Sequence, residues 1–162
     1  MDYFALYNMP VTLQPDQQLV KQRFYELSRK YHPDFFSNAS ADEQAEVLQK
    51  SSEVNKAFRI FSDPDETIRY VLLQKKLMEE EEKYQLEPDF LMEMMELNED
   101  ARVQDADTIR SKVAAVQRQI YEPVKSIIEN YKDDITSKEA LLQVKEYYFR
   151  KKYLNRILGQ LN

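Results

Sequence analysis

The chain has 162 residues, 43% of them hydrophobic and 32% charged, with one Gly, six Pro and no Cys, which predicts helices and excludes disulfides and thiolate metal sites. The formal charge of −6 argues against nucleic acid as the main partner, because phosphate neutralisation needs clustered Lys and Arg. No apolar run approaches the roughly 18 residues of a membrane span, and the first residues lack a basic stretch followed by an apolar core.

Taken in order, residues 2–8 predict a short helix or turn, packed through Tyr3, Phe4, Leu6 and Tyr7. Asp16 is placed to cap the next helix, its carboxylate accepting from unpaired backbone N–H groups. That helix carries Val20, Phe24, Leu27 and Tyr31 on one stripe. Lys21, Tyr25 and Arg29 share one flank, and Arg23 and Lys30 the other. Pro33 disfavours helical geometry at the preceding residue, so the helix is expected to stop at about His32. A second long helix, about Asp42 to Phe61, turns Val47, Val54, Phe58 and Phe61 toward the first, and the two form an antiparallel hairpin. Asp63-Pro64 closes it and opens a further helix through Tyr70-Val71-Leu72-Leu73.

Tyr31-His32-Pro33-Asp34 therefore lies in a loop between two helices, displaying the chain's one histidine, a fixed turn and a carboxylate. The bland account is an ordinary helix stop beside solvated cations. The order and spacing of its surroundings point elsewhere. Asp2-Tyr3-Phe4-Ala5-Leu6-Tyr7 precedes the loop, and Val54-Asn55-Lys56-Ala57-Phe58-Arg59-Ile60-Phe61-Ser62-Asp63-Pro64 and Arg69-Tyr70-Val71-Leu72 follow it. Together they resemble the J-domain, the module that stimulates the ATPase of heat-shock chaperones. The resemblance implies that His32, Pro33 and Asp34 contact such a chaperone, with Lys21, Arg29 and Lys30 steering it. Many J-domains carry an Arg shortly after the Asp-Pro, where this chain has Glu66-Thr67.

Glu79-Glu80-Glu81-Glu82 reads as a solvated connector, giving three expected parts: residues 1–75, a connector at 76–87, and 88–162. In the last part Phe90, Met94, Leu97 and Ala101 fall within about 40° of one helical line and make a core face. Leu91, Met92 and Met95 project away from it beside Glu96 and Glu99. Such a helix is either buried on both sides or offers an apolar surface rimmed by charge; the carboxylates favour the second. Asp105 or Asp107 starts the next element, with Ile109, Val113, Val116, Ile120 and Ile127 inward and a kink or two abutting helices at Pro123. The last helix, about Ser137 to Leu158, is expected to turn Ala140, Val144, Tyr147, Leu154 and Leu158 inward and Phe149 and Tyr153 outward. Lys151 falls on the inward stripe and should snorkel, and Gly159 suits the helix end.

A J-domain followed by three antiparallel helices, the first opening Phe90-Leu91-Met92-Glu93, resembles the iron–sulfur cluster co-chaperone family HscB. The implied fold is all-α: an N-terminal J-domain hairpin, then a C-terminal three-helix bundle. The implied partners are a chaperone ATPase of the HscA/DnaK type and an iron–sulfur scaffold protein of the IscU type. Carried over by position, the scaffold face is Leu91, Met92, Met95, Glu96, Glu99 and Tyr153. No catalytic residue, cofactor or metal site is expected: one His beside a Pro offers no positioned base, and a single Gly allows no phosphate-binding loop. No membrane partner and a bacterial-type cytoplasm are expected. An adaptor for another client, or a purely structural helical protein, are the alternatives.

Overall fold

The computed structural model describes residues 1–161. Every regular element among them is helical, and the chain divides into two compact units between Val71 and Leu72.

The first unit contains α1 (Tyr3–Leu6), α2 (Gln17–Lys30), a 3₁₀ turn (Pro33–Phe36), α3 (Ala41–Phe61) and the opening of α4 (Pro64–Gln74). Each start has a visible chemical cause. Asp2 Oδ1 accepts from the N–H groups of Phe4 and Ala5, and Asp16 Oδ1 from those of Gln18 and Leu19. Ser40 Oγ accepts from Glu43 N–H, and Asp63 Oδ1 from Asp65 and Glu66. Caps of this kind are worth about 1 kcal/mol each.

The hairpin of α2 and α3 forms as expected, with Phe24 stacked on Phe58 at 4.2 Å between ring centres. Such a pair adds about 0.5–1.5 kcal/mol beyond its buried area. Phe4, Tyr7, Leu13, Val20, Val54, Ala57, Phe61 and Val71 fill the core. Tyr7 is wholly buried, and its hydroxyl donates to the Val54 carbonyl at 2.7 Å. Burial pushes that phenol well above its ordinary range.

In the second unit, α5 (Pro88–Val103) opens on Pro at its first turn, where a missing N–H costs nothing. Asp105 caps α6 (Ala106–Tyr121) by accepting from Thr108 N–H, and Ser137 caps α8 (Lys138–Gly159) by accepting from Ala140 N–H. Around Pro123 the chain takes the second of the two expected forms. Helix α6 stops at Tyr121, a 3₁₀ turn spans Glu122–Val124, and a short α7 (Lys125–Glu129) follows. The break shifts the register, so Val124 and Ile128 are buried while Ile127, expected inward, is only half-buried.

Helix α8 departs further from expectation. Leu141 and Ile157 are the buried residues where Ala140 and Leu158 were expected, and Phe149 is buried instead of outward. The cover over Phe149 comes from residues 75–87, which lie within the second unit and pack against it. Tyr84 stacks on Phe149 at 4.6 Å with the rings 1° from parallel, and its hydroxyl bonds Glu146. Met78 is buried, and Lys75 pairs with Asp133. Glu79, Glu80 and Glu81 are solvated as the charge run implied, but Glu82 is half-buried and pairs with Lys145 at 2.7 Å. Gly159 sits in the last helical turn with no positive φ; the left-handed positions are Asn8, Lys76, Glu81 and Asp134. Lys151 is half-buried on its stripe.

These pairings make the unit's stability depend on acid. The Lys75 ammonium, aided by the Tyr131 hydroxyl, holds the Asp133 carboxyl below its ordinary 3.8. For Glu82, burial acts to raise the value, but the Lys145 ammonium and the Glu79 N–H outweigh it and hold the carboxyl below 4.5. A lowered folded value means the stabilisation is complete above the ordinary value and is lost as pH falls through the lowered one. The melting temperature should therefore hold from about pH 7 to about pH 5 and drop below about pH 4. Lys75→Met with Lys145→Met should flatten that drop in circular-dichroism melts; an equally steep drop would contradict the assignment.

Candidate functional site

Two surfaces, one on each unit, collect the residues singled out from the sequence. In the first unit α2 ends at Lys30, and His32 takes the extended conformation (φ −72°, ψ 126°) that a residue before Pro requires. His32 Nδ1 then accepts from Asp34 N–H at 3.2 Å, so the ring itself caps the 3₁₀ turn. With Nδ1 used as an acceptor, the proton of the neutral ring belongs on Nε2, which is left to donate outward. The Asp34 carboxylate is 88% exposed, with His32 Nδ1 3.7 Å away. Phe35, 70% exposed, sets its edge against the His32 ring. Behind the turn, Gln44 of α3 reaches the carbonyls of Phe36, Ser37 and Ala39.

Lys21, Arg29 and Lys30 are all exposed on α2. Arg23 is not part of that set. It is half-buried, donates Nε to the Tyr7 carbonyl at 3.1 Å and pairs with Glu26, so it serves the fold. Tyr25, on the flank between Lys21 and Arg29, is exposed and joins this surface; the helical period placed it there, although it was not singled out. Phe35 is the other addition, and its only sequence signal was its place directly after Asp34.

On α5 the two faces separate cleanly. Phe90, Met94 and Leu97 are buried, with the Arg150 guanidinium lying 4.7 Å over the Phe90 ring. Met92 and Met95 are 63% and 59% exposed, Leu91 is half-exposed, and Glu96 and Glu99 are solvated beside them. Val103, exposed at the end of the same helix, extends this face and was missed because it lies outside the Phe90–Ala101 window. Tyr153 lies on α8, one turn beyond Arg150, half-exposed under the Arg156 guanidinium. Among the described residues no group of three or more His, Asp or Glu side chains converges as a metal site, and no helix is long and apolar enough to cross a membrane.

A helical hairpin whose connecting loop displays His-Pro-Asp defines the first unit as a J-domain, and residues 2–70 match the DnaJ domain family. Residues 86–162 match the family described as the HSCB C-terminal oligomerisation domain. Over 97% of its length the chain is 29% identical to the co-chaperone protein HscB homolog of Vibrio vulnificus, covering 95% of that protein. It is 30% identical to the homolog of Photobacterium profundum, over 88% of this chain and 80% of the relative. Among solved structures, human co-chaperone protein HscB superposes with a TM-score of 0.82 at 28% identity, covering 99% of this chain and 80% of the human one. Chaperone HscB from Vibrio cholerae, at 24% identity, shares the fold with a TM-score of 0.76 over 99% of this chain and 95% of its own. The chain belongs to the HscB family of co-chaperones, whose J-domain implies a heat-shock ATPase of the Hsp70 type as partner.

Proposed function

We propose that this co-chaperone works by binding alone, joining an HscA/DnaK-type ATPase to an IscU-type iron–sulfur scaffold in the cytoplasm. On the first unit, Lys21, Arg29 and Lys30 steer the acidic surface of the ATP-bound chaperone onto α2, raising the encounter rate more than the final affinity. The Asp34 carboxylate then pairs with an arginine of the chaperone. His32 donates from Nε2, and Pro33 fixes the turn. Contacts stronger in the hydrolysis-competent state draw the chaperone toward it, since a ligand shifts an equilibrium only by its differential affinity.

The scaffold docks on α5, where Leu91, Met92 and Met95 provide an adaptable apolar surface and Glu96 and Glu99 a charged rim. Tyr153 contributes from α8. The observation that carries the proposal is the exposure of Met92 and Met95 on a helix whose other face is fully occupied by Phe90, Met94 and Leu97. A methionine pair left in water with no packing role in its own bundle marks an interaction surface. Holding scaffold and chaperone on one chain raises their effective concentration for each other.

The proposal is tested by capture on the immobilised chain. The scaffold should be retained with or without ATP, and the chaperone only with ATP. Retention of the chaperone but not the scaffold would point to a different client.

A further inference from the structure

Gln44 is the fourth residue of α3, and its N–H makes the first bond of that helix, to the Ser40 carbonyl at 2.9 Å. Its side chain turns back over the loop. Nε2 donates to the carbonyls of Phe36 and Ser37 at 3.1 Å each and of Ala39 at 3.3 Å. All three partners are acceptors, which fixes the orientation of the amide, because its oxygen at the same place would face three carbonyl oxygens. Two N–H protons are shared among three carbonyls, so the side chain clamps the loop at several points at once. Among the described residues, the other hydrogen bonds of 32–39 stay inside the loop or return to the end of α2. Besides those internal to the 3₁₀ turn, they include Phe35 N–H to the His32 carbonyl, Ala39 N–H to the Phe36 carbonyl, Asp34 N–H to His32 Nδ1, and His32 N–H to the Arg29 carbonyl. Gln44 thus joins the turn carrying His32 and Asp34 to the long helix behind it.

We propose that Gln44 is a positioning residue for co-chaperone action: its carboxamide ties the Pro33–Phe36 turn to α3 and holds the His32–Asp34 loop in the form that docks on the chaperone. This rests on the assignment of that loop as the chaperone contact, and it adds what keeps the loop competent. A loop freed of the clamp spends less time in the docking form, and apparent affinity falls by the fraction of time lost.

The chemistry separates a clamp from a mere filler. Gln44→Met keeps the volume and loses the donors. Gln44→Glu places a carboxylate against three carbonyls, yet a negative charge in the first turn of a helix favours α3 itself. Gln44→Lys restores donors on a side chain long enough to reach. On the full chain, with the heat-shock ATPase as reporter, the Met and Glu variants should need roughly tenfold more co-chaperone for half-maximal stimulation, and the Lys variant much less. Amide exchange at Phe35 and Ala39 should quicken in the Met and Glu variants while protection within α2 and α3 holds. Asp34→Asn is the control for the underlying assignment. If it abolishes stimulation while Gln44→Met behaves as wild type in both measurements, Gln44 is not a clamp and the assignment stands. If Asp34→Asn leaves stimulation intact, the loop is not the contact and the role proposed for Gln44 falls with it.

Discussion

Replacing Asp34 by Asn should abolish stimulation of the chaperone ATPase and leave both the fold and scaffold binding unchanged. The carboxylate is 88% exposed, with His32 Nδ1 3.7 Å away, so the folded chain does not depend on its charge. Surface changes of this kind stay within about 0.5 kcal/mol. The backbone N–H that His32 accepts from is untouched, so the turn keeps its shape. Against a desolvated arginine the same change removes one partner of an ion pair and leaves the other buried and unmatched. That costs on the order of 2–5 kcal/mol, or at least about thirtyfold in affinity. Titration of ATPase rate against co-chaperone reads this directly, and an undiminished rate with the variant would remove the loop from the mechanism.

The second large effect concerns α5. Leu91→Ala combined with Met95→Ala should weaken scaffold binding at least about tenfold, since apolar side chains buried in an interface are worth about 1.5–3 kcal/mol each. The melting temperature should barely move, because Met95 is 59% exposed and Leu91 is only half-buried. Met94→Ala is the internal comparison. It lies between them in sequence but is wholly buried, and truncating it should cost about 2–5 kcal/mol of stability. Calorimetric binding and thermal melts of the two variants should therefore give opposite patterns. A large loss of melting temperature in the Leu91/Met95 variant would instead mean that this face is part of the core.

The long helices, the cap at Asp16, the helix starts near Asp63, Asp105 and Ser137, and the division of α5 into two faces were all legible, because each depends on local chemistry or on the 3.6-residue period. What escaped depends on contacts remote in sequence. The projection of α8 placed Phe149 outward, and nothing in that helix announces that Tyr84, arriving on a non-helical segment, will cover it. The four-glutamate run gave no sign that its last member would pair with Lys145. The slip from Ile127 to Ile128 follows from the 3₁₀ turn at Pro123, which ends the register counted from Ile109. At the candidate sites, helical projection set Met92 and Met95 apart from the core, and the resemblance carried by their surroundings singled out His32 and Asp34. Gln44 could not, since its partners are main-chain carbonyls, which look alike in every sequence.

The chain's six methionines fall into two groups with different chemical fates. Met9, Met78 and Met94 are shielded by the fold, while Met1, Met92 and Met95 face water. Peroxide would reach the thioethers of the second group first and turn them into polar, chiral sulfoxides, a lesion that methionine sulfoxide reductases reverse. On α5 that change would fall on the surface proposed to dock the scaffold and spare the core beneath it. Oxidative stress would then interrupt capture of the scaffold while the protein stayed folded, and enzymatic reduction would restore it without new synthesis.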